Sequence, residues 1–250
     1  MMNPGDRGID IARYQHPGGA AIDYRAVAAS GIKFVYVELT DGAQYQNTYC
    51  ATDARGFQAV GVETGAYQFY EPTDDADNQT GDFIKLYQSI GGWTLPIMID
   101  SEKTDAGGWA TLAKKLGDFR SNLMTATGDP VGAYIDIDFY DNLPGCPWGW
   151  DIWLADPSHP TAPSKPCLLQ QTGAGNVPGI TGLVDLDIWR TPYSTTPVPP
   201  PVPPSPEEND TVTSLQTSTQ LHVWGIIGTS AYHWWQDLGT PEWHVEPLPA

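Results

Sequence analysis

As far as Arg190 the chain alternates short apolar runs with stretches whose apolar residues recur at helical spacing. Runs of four to eight apolar residues bounded by turn residues read as buried strands, and a period near 3.6 reads as a helix packed on a sheet. The pattern predicts strands at 8–11, 33–38, 62–70, 95–100, 131–135, 152–155, 167–171 and 185–189. It predicts helices at 22–30, 47–59, 75–89 and 109–126. Strand–helix alternation on this scale implies an α/β fold with a mostly parallel sheet and helices outside it. After Leu143 strands follow one another with only loops between them, so the expected architecture is an irregular, TIM-like β/α barrel.

Beyond Arg190 the composition changes. Residues 191–250 contain no Lys or Arg, and residues 192–206 hold eight prolines, which favour extended polyproline II. The expected organisation is a barrel over 1–191, a Pro-rich linker over 192–206 and a small β-rich module over 207–250. In that module Leu221-His222-Val223-Trp224 and Ala231-Tyr232-His233-Trp234-Trp235 alternate across a hairpin, and four of the chain's ten tryptophans lie there. The segment is similar to one repeat of the tectonin-like propeller lectins. A wall-binding role is one reading, and the tryptophan core of a very small domain is the other.

Charge narrows the partners. With 30 acids against 12 bases the net charge is −18, which opposes nucleic-acid binding. No run approaches the roughly 18 apolar residues of a membrane span. The N-terminus shows no basic region followed by an apolar one, so no signal peptide is expected. Cys50, Cys146 and Cys167 are too few and too scattered for a disulfide framework or a zinc site; reduced thiols are expected, with a Cys146–Cys167 pair as the alternative if the two are adjacent in space.

The chemistry concentrates at Pro96-Ile97-Met98-Ile99-Asp100-Ser101-Glu102, an apolar run that ends in two carboxylates. Residues two apart on a strand share a face, about 6.6 Å apart. Asp100 and Glu102 should therefore share a field, and like charges push their pKa values apart. One then holds a proton near neutrality while the other stays ionised, as glycoside hydrolysis requires. Two solvated acids at a strand end are the alternative. Polar residues recur at the predicted strand ends: Asp10, Glu38, Gln68, Asp136, Asp156 and Gln170. Placed by one register they suggest a single acidic mouth ringed by Tyr14, Tyr36, Tyr67, Tyr134 and Trp153, whose faces suit sugar rings.

Residues 8–189 resemble the family 25 glycoside hydrolases, the Chalaropsis-type muramidases that include phage endolysins. The resemblance is carried by Gly8-Ile9-Asp10-Ile11 with Tyr14-Gln15, by 28–35, by Gly65-Ala66-Tyr67, by 95–102, by Val177-Pro178-Gly179-Ile180 and by Val184-Asp185-Leu186-Asp187. It implies cleavage of the β-1,4 bond between N-acetylmuramic acid and N-acetylglucosamine in peptidoglycan glycan strands, with no cofactor and no metal. The implied acids are Asp10, Asp100, Glu102 and Asp185, with Glu102 as general acid and Asp187 as the fallback for Asp185. An endolysin would stay in the host cytoplasm until lysis. Three positions depart from the family pattern. Glu38 stands where a basic residue is frequent, Gln68 where a His is frequent, and Asp136 where hydroxyl or apolar residues are usual. The first and last should raise the pKa of Glu102 further. A non-catalytic carbohydrate-binding barrel and a chitinase-like hydrolase remain as rivals, and oligomeric state is open.

Overall fold

The computed structural model describes residues 2–104, 107–144, 151–155, 168–190, 212–216, 220–227, 230–237 and 243–247. The chain divides into two compact units, Met1–Thr195 and Thr196–Ala250.

The first unit runs β1 (Arg7–Ile11), α1 (Tyr24–Ala29), β2 (Ile32–Asp41), β3 (Tyr45–Gln46), α2 (Cys50–Ala59), β4 (Glu63–Phe69) and α3 (Ala76–Ile90). It continues with β5 (Ile97–Asp100), α4 (Trp109–Thr127), β6 (Val131–Asp136), α5 (Ile137–Asn142), β7 (Ile152–Ala155), β8 (Leu168–Gly175) and β9 (Val184–Trp189). β1, β2, β4, β5, β6, β7 and β8 pair in parallel. β9 lies antiparallel between β8 and β1, so the sheet curls until β1 is bonded on both sides. The chain needs no crossover helix between β8 and β9, because an antiparallel neighbour can be reached by a short loop.

Both faces of this sheet are buried, which explains its nearly continuous apolar strands. On β2, Phe34 and Tyr36 turn into the curl, while Val35 and Val37 turn towards the helices. Tyr67, Met98, Tyr134, Trp153 and Trp189 complete the inner cluster. Such large side chains need small neighbours. A Cβ on Gly8 would overlap the Phe34 ring, and one on Gly65 the Tyr36 ring.

Helix positions follow equally local rules. In α4, Leu112, Leu116, Phe119 and Leu123 recur at steps of four and three and are buried, and Gly128 ends the helix in the left-handed region at φ 76°. The Asp75 carboxylate accepts the Asn78 N–H at the start of α3, and Asp23 does the same for Ala26 at α1. The pattern missed β3 and α5, which are two and six residues long. α5 has one readable signal, Asp136, whose carboxylate caps it through the Phe139 N–H.

In the second unit β10 (Val212–Gln216), β11 (Gln220–Ile227), β12 (Ser230–Asp237) and β13 (Trp243–Pro247) form a four-stranded antiparallel meander. The expected hairpin is the β11–β12 pair, with Val223 opposite Trp234. Cys146, Cys167, Asp156 and the Pro-rich stretch lie outside the described residues. Cys50 is buried, and burial pushes its thiol up to about 11.

Candidate active site

At the C-terminal ends of the parallel strands lies a cleft of about 210 Å³. β5 delivers Asp100 as its last residue, on the same inward side as Met98 and only 9% exposed. Ser101 turns the other way and is fully buried, and Glu102 emerges exposed at the mouth. Glu102 thus lies two residues past Asp100 and just beyond the strand, and both carboxyls line the cleft as the alternation predicted.

Asp10 and Asp185 enter from the opposite side as direct partners in the β1–β9 register. Glu38, Tyr67, Tyr134, Trp153 and Gln170 also line the cleft, and the Tyr134 hydroxyl donates to Gln170 Oε1 at 3.0 Å. Trp153 is the hub of the floor. Tyr36 stacks on it at 4.9 Å, and Tyr67 and Tyr134 meet it edge-on at 6.2 and 4.8 Å.

Two expected sugar contacts lie beneath this surface. Tyr36 is fully buried inside the curl, because Trp153 covers it. Asp187 is 2% exposed and accepts the Trp153 indole N–H at 3.0 Å. Both support the floor and offer no surface to a ligand. Gln68 also leaves the mouth. As the neighbour of inward-facing Tyr67 it points to the helix side, where its amide donates to Gln79. Strand-end position alone did not separate the two faces.

The pattern missed Phe69 and Ala12 as lining residues, although Phe69 follows Tyr67 by two on β4 and so shares its face. It also missed Lys103, which pairs with Glu71 and sits 5.2 Å over the Phe69 ring, tying down the segment just after Glu102.

Burial and mutual repulsion push the acids of this cleft towards their protonated forms. Burial raises Asp100 well above the usual carboxylate range, and the charges of Glu102, Glu38, Asp41 and Asp185 add to it. Asp10 is raised well above that range by burial and then by Asp187, Asp185 and Asp100, while Gln170 pulls it back. Burial also raises Glu102, helped by Asp136 and Asp185 and opposed by Lys103 and by the Tyr134 hydroxyl. Of the two expected extra acids, Asp136 therefore acts on Glu102. Glu38 acts instead on Asp100 and Tyr67. Glu38 itself is pushed up to about 7 by burial and Asp41, against the pull of Arg13. A proton-bearing carboxyl at the mouth, a second beside it and aromatic walls can protonate a leaving oxygen and hold a sugar ring. Among the described residues no group of three or more His, Cys, Asp or Glu is arranged to hold a metal ion.

The family model for glycosyl hydrolases family 25 matches residues 9–179. The chain belongs to this family. The match includes Asp10, Asp100 and Glu102 and stops short of Asp185 and Asp187. The chain is 26% identical over 204 residues to lysozyme M1 of Streptomyces globisporus, covering 72% of this chain and 66% of that protein. It is 28% identical over 189 residues to the autolytic lysozyme of Clostridium acetobutylicum, covering 72% and 55%. The chain therefore spans less than two thirds of the length of either relative. A family 25 glycosyl hydrolase structure from Bacillus anthracis superposes with a TM-score of 0.65 at 23% identity, covering 76% of this chain and 90% of that one. The expected likeness of the C-terminal segment to a tectonin-like repeat gains no support, since the family match ends at residue 179.

Proposed function

We propose that the chain is a muramidase that cleaves the β-1,4 bond between N-acetylmuramic acid and N-acetylglucosamine in bacterial peptidoglycan. The observation that carries this is the carboxyl pair Asp100 and Glu102 in one cleft with Asp10 and Asp185. Its support from relatives is that the two named above are lysozymes.

In this reading Glu102 protonates the glycosidic oxygen as the bond lengthens towards an oxocarbenium-like state. Its exposure at the mouth lets a leaving sugar reach it, and its raised pKa keeps the proton available. Asp100 had two candidate roles, stabilising the cation or orienting the substrate's 2-acetamido group for attack on the anomeric carbon. Its place deep in the cleft, two residues from Glu102, suits the second, in which the carboxyl accepts the N–H of the 2-acetamido group as that group's oxygen attacks the anomeric carbon. Asp10 and Asp185 hold the pair in place and tune it. Tyr67 and Tyr134 face the sugar, and Trp153 supports them from beneath.

The curled sheet is read as an irregular β/α barrel, and residues 192–206 as a spacer to a small module over 207–250. An endolysin-like life in the host cytoplasm until lysis is part of this proposal. The test is mass spectrometry of fragments released from purified walls. New N-acetylmuramic acid reducing ends are expected, and N-acetylglucosamine ends would overturn the bond assignment. Equal digestion of chitin would favour the chitinase-like rival.

A further inference from the structure

The loop after β1 carries a feature that the glycan chemistry does not use. Arg13 and Tyr14 lie in a short 3-10 turn, Arg13–Gln15, at the edge of the cleft. Tyr14 is 70% exposed although it lines the cleft. The Arg13 guanidinium is held between two rings, 5.0 Å from the centre of Tyr14 and 4.9 Å from that of Tyr45, and Nη2 donates to the Tyr14 hydroxyl at 3.1 Å. Stacking of this kind fixes a guanidinium plane while leaving its remaining N–H groups directed outwards.

The turn beneath it is anchored on both sides. The Gln15 amide oxygen accepts the Ala12 N–H at 2.8 Å, and its NH2 donates to the Leu183 carbonyl at 3.2 Å. The next residue, His16, is buried, with Nε2 2.9 Å from Asp53 and Nδ1 2.8 Å from the Ala20 carbonyl, and its ring stacks on Tyr49 at 3.8 Å. Arg13 is thus presented on a rigid platform, which lowers the ordering cost of binding.

Its surroundings are otherwise acidic. The cleft is lined by Asp10, Glu38, Asp100, Glu102 and Asp185, and its described lining residues include no Lys, Arg or His to receive a carboxylate brought in with the substrate. Lys103, the other cation at the mouth, is paired with Glu71. Among the described residues Arg13 has no carboxylate within ion-pair distance, although Glu38 and Asp41 feel its charge.

We infer that Arg13, braced by Tyr14 and Tyr45, is a specificity determinant that binds a carboxylate of the peptide stem borne by the muramic acid of the substrate. This rests on the muramidase reading for the identity of the glycan. The stem is attached to the edge of the sugar ring, so it leaves the cleft across the rim. A planar guanidinium there offers two parallel N–H donors to a carboxylate.

The experiment compares binding of soluble glycan oligomers, with and without their peptide stems, to full-length protein inactivated by Glu102→Gln. The stem should tighten binding about fivefold or more, an effect of the size of one charge-assisted contact. Arg13→Gln should remove that preference, and Arg13→Lys, which keeps the charge without the fork, should retain part of it. Equal weakening on both oligomers would make Arg13 a mere brace for Tyr14 and overturn the inference. Binding without any stem preference would overturn it too, while leaving the muramidase reading intact. Binding to neither oligomer by folded protein would sink both. A stem preference that depends on Arg13, with no glycan cleavage by the unaltered chain, would support the inference and count against the muramidase reading alone.

Discussion

Trp153 donates its indole N–H to Asp187 across 3.0 Å, and both side chains are buried. This bond ties the floor of the cleft to its acids. Asp187 also lies close enough to Asp10 for its charge to help raise that acid, whose register partner is Asp185. A buried donor stripped of its acceptor costs about 1–3 kcal/mol. Asp187→Leu should therefore lower stability by roughly that amount in urea unfolding, whereas Asp187→Asn, which keeps a carbonyl acceptor, should lose much less. Equal losses would mean that the loss of the carboxyl itself beside Asp10, and not of the bond to Trp153, decides the stability of this corner.

Glu102→Gln should reduce kcat on purified walls by about 10²–10⁴-fold with the fold intact, because an amide fills the space but cannot donate a proton at the needed acidity. Asp100→Asn should also act on kcat far more than on KM, since the carboxyl orients the reacting group in the transition state. A Glu102→Gln variant with more than a tenth of the original turnover would remove it as the acid. A purely KM-based loss at Asp100 would reduce that residue to a binding contact.

The elements were legible where burial is continuous. The inner and outer layers of β2, β4, β5 and β6 are packed against aromatics on one side and helices on the other, so their apolar runs are dense. The Asp100 and Glu102 pair was legible for the same reason, as the polar end of such a run. The supporting residues were less so. Tyr36 and Asp187 have the side-chain chemistry of sugar contacts, and only the packing of Trp153 over them shows that they are props. Gln68 failed because its strand is buried on both faces, so period two gives no sign of which side is the mouth. The Arg13 platform depends on a contact with Tyr45, thirty-two residues away, which no local pattern contains.

Glu38 makes stability depend on pH. Its carboxyl, 8% exposed, is raised from its ordinary value to about 7, so between those two values the folded chain binds more protons than the unfolded one. Its contribution is then fully present below the ordinary carboxylate range and is lost as pH rises through about 7. The loss is on the order of 3 kcal/mol at most. Asp10, Asp100 and Asp187 are raised in the same direction. Urea midpoints measured from pH 5 to 8 should fall with rising pH, and Glu38→Gln should flatten part of that slope. A midpoint that rises with pH over this range would contradict the burial of these acids.

Residues 207–250 should contribute wall attachment and not chemistry. The four strands there belong to a compact unit of their own, and the described residues that line the cleft belong to the first unit. The segment also carries no Lys or Arg, so any attraction to the wall would rest on its four tryptophans stacking on sugars and not on charge. A chain ending at Arg190 should cut small soluble glycan fragments at close to the full-length rate. The same shortened chain should sediment less with intact walls, and added salt should change that difference little, because stacking is not screened as ion pairing is. Unchanged sedimentation would leave the tryptophans as the core of a small domain with no wall-binding role. Loss of activity on the soluble fragments would make the second unit part of the working enzyme and sink the modular reading.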